Sequence, residues 1–145
     1  MDQSAVLTDR GAEIGAPTLD RLAPYVLSVL RIMAGLLFLE HGMSRLFGFP
    51  SPLPTPHPMT MYWFAGCIEF LGGILVTLGL LTRPAAFIMS GEMACAYFIS
   101  HAPRGFFPIL NRGDGAVLYC FIFLYIVFAG PGPLSLDALL WRKRR

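Results

Sequence analysis

The sequence has little charge. Asp, Glu, Lys and Arg make up only 14% of its 145 residues, against roughly 25% in soluble domains. Apolar residues make up 55% of the chain, and the mean hydropathy is +0.61. The few charges lie mostly in short segments between long apolar runs. This distribution argues against an ordinary soluble domain and predicts a multi-span membrane protein.

The sequence also lacks the motifs of several common chemistries. It contains no P-loop, dinucleotide fingerprint, nucleophile elbow or HExxH motif. No basic patch with interleaved aromatics suggests a nucleic-acid partner, and no pair of histidines at helical spacing favours haem ligation. The three cysteines, Cys67, Cys95 and Cys120, lie in separate apolar runs without CxxC spacing. We therefore expect no metal site and no disulfide framework.

What the chain does have is four apolar runs. A bilayer core of ~30 Å takes about 20 helical residues, so we predict an all-α, polytopic membrane protein, a four-transmembrane-helix bundle. The predicted spans are about 25–47, 62–81, 84–100 and 115–130, within a transmembrane domain over 24–131. Pro24 suits the start of the first helix. Residues 1–23 are expected to form a mobile soluble tail rather than a secretory signal, and 132–145 a basic C-terminal tail.

Positive charges predict the orientation of the bundle. Four spans place both termini on one side, together with the turn at Arg83. That side holds seven Lys and Arg residues, while the other side holds three. Because Lys and Arg are enriched in cytoplasmic loops, both termini are predicted to be cytoplasmic.

Glu69 is the single charge in the second predicted span. An ionisable group at membrane depth costs on the order of 3 kcal/mol or more, and such groups usually face a bundle interior. At ~1.5 Å per residue, Glu69 lies about 18 Å from the cytoplasmic face, and Glu40 and His41 about 22 to 24 Å. With His101 at the end of the third span, these residues form the predicted ligand or proton site. The same groups could instead only specify helix packing.

Arg31 and Glu92 are predicted to form a second polar pair. On the same scale they lie about 9 and 12 Å from the cytoplasmic face, so we predict a structural ion pair between them. Four further polar candidates are assigned to the outer loops: Arg45, Arg104, Asn111 and Asp114. Asp114 is expected to cap the fourth helix.

A wider set of residues resembles the DoxX family. The set is Arg31, Gly35-Leu36-Leu37-Phe38, His41-Gly42, Gly66-Cys67-Ile68-Glu69, Gly72-Gly73, Leu78 to Arg83, His101, Gly105-Phe106-Phe107-Pro108, Asn111 and Gly130-Pro131-Gly132. The resemblance covers Arg31 to Asp137 and implies a four-helix bacterial inner-membrane protein. The family takes its name from a subunit of an archaeal thiosulfate:quinone oxidoreductase, and some relatives are linked to redox-stress complexes. Arg45 stands where the family often has Lys, and Glu92 has no clear counterpart.

Three functions follow from this sequence. The leading hypothesis is a redox-associated membrane protein, a quinone-interacting or oxidoreductase-complex subunit, because a quinone ring needs only a slot between helices and one or two polar contacts such as His41 and Glu69. The second is a non-catalytic scaffold or accessory protein. The third is a small-solute or proton transporter acting as a homodimer. The lipid bilayer is a partner in each, a partner redox subunit belongs to the first, and whether the chain is an enzyme stays open.

Overall fold

A computed structural model describes residues 16–50 and 56–142. The helices are α1 (Ala16–Phe47), α2 (Met61–Leu78), α3 (Thr82–Ala96), α4 (Pro108–Asn111), α5 (Asp114–Ala129) and α6 (Leu136–Arg142). A π-helical turn, Tyr97–His101, and a 3-10 turn, Ala102–Arg104, continue α3. These two ranges contain no strand, and the all-α prediction is confirmed. Most of the predicted N-terminal tail (1–15), part of the proline-rich loop (51–55) and the last three residues (143–145) lie outside the described residues.

Helix α1 begins earlier than the sequence predicts. Pro24 lies inside the helix, and Pro17 occupies its first turn. Both prolines suit a helix start, so the pattern alone does not distinguish them. Within the helix, the hydroxyl of Ser28 donates to the carbonyl of Pro24 at 3.0 Å. Residues 16–23, predicted as part of a tail, therefore extend the first helix instead.

Small residues bring α1 and α2 into close antiparallel contact. A Cβ added to Gly73 would lie 2.7 Å from the backbone nitrogen of Leu39, and one added to Gly42 would overlap the backbone at Phe70. No side chain fits at either position. Close approach through glycine is a common means of helix association in membranes, where burial of apolar surface gives no net drive.

The other long pair is α3 with α5. Its core joins that of the first pair through Phe38, whose ring lies 4.9 Å from Phe123 in an edge-on arrangement and 5.5 Å from Tyr119. Such aromatic pairs add to the stabilisation from burial. Met89 and Met93 of α3 complete this core. The two helix pairs thus form one antiparallel bundle.

The outer surface of the bundle is apolar. Large exposed side chains occur around its circumference, including Val29, Met33, Leu71, Phe87 and Phe121. Within the described ranges, two helices are long and apolar enough to cross a membrane, Thr18–Phe47 and Met61–Leu78, and Asp114–Ala129 is a shorter apolar helix. An apolar exterior of this extent is unusual for a soluble monomer and suits contact with lipid.

Arg31 lies at one end of the bundle, which we call the Arg31 end. Arg31 is fully buried. Its guanidinium donates to the carbonyls of Val76 and, at 2.8 Å, Thr77 near the end of α2. It also donates to Pro131 at 2.8 Å and Leu134 at 2.5 Å. One side chain thereby fixes the segment after α5 against α1 and α2.

Asp137 reinforces the same end of the bundle. Its two carboxylate oxygens each accept a backbone N–H at 2.9 Å, from Leu81 and Thr82. These amides start α3 and have no partner within the helix, so the carboxylate acts as its N-terminal cap. Its own backbone N–H donates to the carbonyl of Gly79 at 2.8 Å. Residues predicted as part of a basic tail are therefore docked on the bundle.

The Arg31 contacts lead to a first prediction. In Arg31→Lys a single ammonium replaces the guanidinium and leaves buried carbonyls without a donor. We expect the free energy of unfolding to fall by about 2–4 kcal/mol. Thermal unfolding of the detergent-solubilised chain measures the change. Arg21→Lys, at an exposed position of the same helix, is the matched control. Equal stability of the two variants would show that the guanidinium contacts contribute nothing.

Candidate functional site: buried carboxylates between two cavities

Glu69 forms an ion pair with Arg45 at the end of the bundle opposite Arg31, which we call the Glu69 end. Nε of Arg45 lies 3.1 Å from Oε2 of Glu69. The Glu69 side chain is 1% exposed and that of Arg45 31% exposed. Oε2 makes no hydrogen bond of good geometry, so the contact is mainly electrostatic. A carboxylate at this burial needs such a partner.

The glycine contact of α1 with α2 sets the geometry of this pair. Gly42 lies against the backbone of Glu69 and Phe70, and a Cβ on Gly66 would lie 3.2 Å from the Cβ of Arg45. Arg45, assigned from the sequence to the outer loops, lies in the last turn of α1, within the predicted first span of 25–47. Arg45 follows His41 by four residues and therefore shares its helix face. That spacing was the available signal for its place in the site.

Glu92 is the second carboxylate at the Glu69 end. Both of its carboxylate oxygens are buried and have no hydrogen-bond partner within the described residues. Glu69 and Arg45 both lie within electrostatic range of it. The predicted ion pair of Glu92 with Arg31 is not formed, since Arg31 donates to four carbonyls at the other end of the bundle.

The error came from the predicted helix ends. The predicted heights take Leu81 as the end of the second span, for Glu69, and Pro84 as the start of the third span, for Glu92. In the structure α2 ends at Leu78 and α3 begins at Thr82. Glu69 and Glu92 then lie about nine and ten residues from facing helix ends, hence at the same height at ~1.5 Å per residue. The three turn residues between the helices do not rise along the helix axis.

A cavity of about 240 Å³ adjoins Glu69, and we call it the histidine cavity. His41, His101 and Arg45 line it together with Glu69, so three of the four predicted ligand-site residues meet here. The remaining lining residues are Phe38, Met93, Ala96, Arg112, Gly115, Ala116 and Tyr119. The cavity therefore combines aromatic walls with several polar groups.

Both histidines are held by backbone carbonyls. Nδ1 of His41 lies 2.8 Å from the carbonyl of Leu37, and Nδ1 of His101 lies 3.1 Å from the carbonyl of Asn111. A carbonyl oxygen only accepts, so Nδ1 carries the proton in each ring. Nε2 has no hydrogen-bond partner among the residues described and is available to a ligand or a proton.

A second cavity, of about 290 Å³, lies between α2 and α3, and we call it the lateral slot. Its polar lining includes Glu92, Arg45, Ser100 and His101. Its other lining residues are mainly apolar: Met61, Tyr62, Phe64, Ala65, Ile68, Ile88, Cys95, Ala96 and Ile99. Many of these are exposed on the outer surface of the bundle. Arg45 and His101 line both cavities and so separate them.

The other predicted candidates lie outside the two cavities. Glu40 is exposed and lines neither. Arg104 is exposed in the 3-10 turn. Asp114 is the first residue of α5, but the cap position is Gly113 and no side chain caps the helix. The capping prediction for Asp114 is therefore wrong, although its charge still favours a helix N-terminus.

Asn111, predicted as an outer-loop residue, is buried in the short helix α4. Its amide nitrogen donates to the carbonyl of Gly105 at 2.7 Å, and its amide oxygen accepts from the backbone N–H of Gly113 at 2.8 Å. Because its own carbonyl holds His101, Asn111 links the fold of this loop to the histidine cavity.

Sequence reasoning missed Tyr119, Met93 and Arg112, which the fold brings to the histidine cavity from α5, α3 and the turn between α4 and α5, respectively. Tyr119 lies in a uniformly apolar run, and its ring centroid is 6.4 Å from that of His41. No local pattern marks such residues, since their proximity to His41 depends on how α1 and α5 pack.

An all-helical bundle with an apolar exterior and charged residues buried inside it defines an integral membrane protein. The sequence model of the DoxX family matches residues 26–102, more than half of the chain, and the chain belongs to this family.

The relatives of the chain include a protein that is named an inner membrane protein. The chain is 44% identical over 131 residues to an uncharacterized protein of Haemophilus influenzae, with 86% of this chain and 98% of that protein covered. It is 27% identical over 127 residues to an Escherichia coli protein named an inner membrane protein, with 79% of this chain and 92% of that protein covered. It is 22% identical over 121 residues to the Bacillus subtilis protein named "Putative oxidoreductase CatD", with 81% of this chain and 88% of that protein covered. No solved structure matches the chain.

The ion pair generates a second prediction. Arg45→Met leaves Glu69 buried without a counter-ion. We expect the free energy of unfolding to fall by about 2–3 kcal/mol. This is less than the roughly 3–5 kcal/mol typical of fully buried pairs, because the Arg45 side chain is 31% exposed. Glu69→Gln combined with Arg45→Met should recover part of this loss, and unfolding of the two single variants and the double variant measures the coupling. Additive effects of the two substitutions would contradict the pairing.

Proposed function

We propose that the chain is a redox-associated, multi-pass protein of the bacterial inner membrane that binds a quinone headgroup in the histidine cavity. It would work with a partner redox subunit that supplies or removes the electrons. The main support for this proposal is that four polar residues line one cavity with aromatic walls: His41, His101, Arg45 and Glu69. The redox assignment is supported by the name of the Bacillus subtilis relative.

The cavity suits a flat ring with oxygen atoms at its ends. Its volume of about 240 Å³ lies just below the 300–1,000 Å³ typical of small-molecule sites, which favours a headgroup over a whole lipophilic molecule. Phe38 and Tyr119 present aromatic surfaces for ring contact. A long apolar tail would leave the cavity between α1 and α5 and lie in lipid.

The polar groups can serve both redox forms. A quinone oxygen accepts a hydrogen bond, which the Arg45 guanidinium can donate, and a quinol hydroxyl donates one, which Nε2 of His41 can accept. Quinone reduction takes up two electrons and two protons. His41 is exposed and lines the cavity, so its imidazole is suited to pass protons between solvent and ligand.

A four-span topology is part of this proposal. Helices α1 and α2 meet the length and apolarity expected of spans. Helical backbone continues from Thr82 to Arg104, which is long enough for a third span at ~1.5 Å per residue, and α5 would be a short fourth. The Lys and Arg excess at the termini supports a cytoplasmic location for them.

The ligand proposal makes a third prediction. A short-chain ubiquinone analogue should raise the thermal unfolding temperature of the purified chain, because it binds the folded state. His41→Ala and Glu69→Gln should each abolish the increase, measured within each variant as the difference with and without quinone. Glu40→Gln, at the exposed neighbouring carboxylate, should keep it. No increase with ubiquinone or menaquinone analogues would refute the proposal.

A fourth prediction concerns topology. Reporter fusions after Arg83 and at the C-terminus should be active only as cytoplasmic reporters. A fusion after Phe106 should be active only as an exported reporter. The Arg83 and Phe106 fusions test the third span directly, because loss of that span would place both on the same side.

A scaffold or accessory role is the second candidate. Arg31 and Arg45 each connect separate helices, so the buried charges also specify packing. In that role, His41→Ala and Glu69→Gln would lower the free energy of unfolding without altering any response to quinone. The homodimeric transporter and the homodimer itself stay predictions from the sequence.

A further inference from the structure

The Glu92 carboxylate in the lateral slot has no role in the proposed quinone site. Glu92 lines the slot but not the histidine cavity. Both of its oxygens are buried without a hydrogen-bond partner in the described part of the chain. A buried carboxylate in this state is costly, so it requires either a proton or a positively charged partner.

The charges around Glu92 leave its carboxylate without a cation of its own. Arg45 is the cation that lines the slot, and it is already paired with Glu69 at 3.1 Å. Two carboxylates thus share one guanidinium, which leaves one negative charge uncompensated at the slot when both are ionised.

The remaining groups of the slot can accept hydrogen bonds from a cation. Nε2 of His101 is unprotonated when the ring is neutral, because its Nδ1 donates to Asn111. Ser100 adds a hydroxyl oxygen to the lining. An ammonium group carries three N–H donors. His101 and Ser100 line the slot and carry acceptor atoms, and Glu92 lines it with both carboxylate oxygens buried.

The rest of the slot is built for an apolar tail. Its volume of about 290 Å³ suits a small headgroup. Exposed apolar side chains line its rim from both helices, including Met61 and Phe64 on α2 and Ile88 and Ile99 on α3. A chain attached to the headgroup would pass over these side chains into lipid.

We propose that the lateral slot is a separate binding site for lipophilic organic cations, amphipaths with an ammonium head and an apolar tail, and that Glu92 is the counter-ion. Entry is from the lipid, between α2 and α3. This site is distinct from the histidine cavity, and Arg45 and His101 form the wall between them. The proposal therefore does not depend on quinone binding.

Octylammonium and 1-octanol test the proposal, because they share a tail and differ in the charged head. The readout is maleimide labelling of Cys95, which is exposed and lines the slot, in the full chain carrying Cys67→Ala and Cys120→Ala. At about ten times its dissociation constant, octylammonium should slow labelling about tenfold. Octanol at equal concentration should leave the rate nearly unchanged. Equal protection by the two compounds would overturn the proposal in favour of an apolar groove without a counter-ion.

Two variants identify the counter-ion. Glu92→Gln in the same background should abolish protection by octylammonium, whereas Glu40→Gln should retain it. If Glu92→Gln does not fold, Ile88→Trp, which narrows the slot without removing the charge, should weaken protection instead. Full protection in either slot variant would refute the assignment. Loss of quinone binding in His41→Ala with octylammonium protection intact would separate this proposal from the proposed function.

Discussion

The Arg45–Glu69 ion pair depends on how closely α1 and α2 approach each other. A buried carboxylate and a guanidinium stabilise each other only at short range, because each loses its hydration on burial. Gly42 and Gly66 allow the two backbones to come close at this level, and the 3.1 Å contact follows. A larger residue at Gly42 would separate the helices and leave the charges apart. The glycine interface and the polar site are therefore one structural feature, in which packing sets the electrostatics.

Arg45 also couples the two cavities. It lines both, and so does His101. A ligand that draws the guanidinium toward the histidine cavity would weaken its compensation of the charge on Glu92. A cation bound at Glu92 would in turn reduce the demand on Arg45. Coupling of this kind between two sites is reciprocal by thermodynamic necessity. The two proposed ligands would therefore affect each other's affinity through one side chain.

The sequence was sufficient to predict what depends on composition and helical periodicity. The all-α class, the burial of Glu69 and the meeting of Glu69, His41 and His101 all follow from apolar runs and residue spacing. The wrong predictions involve helix ends. The choice of Pro24 over Pro17 shortened α1. Counting the turn residues 79–81 as helix moved Glu69 away from Glu92, and starting the third span at Pro84 rather than Thr82 placed Glu92 too close to the level of Arg31. Tyr119 could not be found at all, because its contact with the site arises from the packing of α5 against α1, which no local pattern encodes.

The two ends of the bundle use their arginines in opposite ways. Arg31 donates to carbonyls of α2 and of the segment after α5, and Asp137 caps α3 beside it. The guanidinium of Arg31 and the carboxylate of Asp137 are satisfied by the chain itself, although the buried hydroxyls of Thr77 and Thr82 have no partner among the described residues. At the Glu69 end, Arg45 faces two carboxylates and two cavities, and Glu92 is left without a hydrogen bond. Unsatisfied polar groups beside a cavity lower the desolvation free energy that a complementary ligand must overcome on binding, because these groups are already desolvated in the unbound protein. The presence of two carboxylates beside one guanidinium, Glu69 and Glu92 with Arg45, is the physical reason to place the function at the Glu69 end.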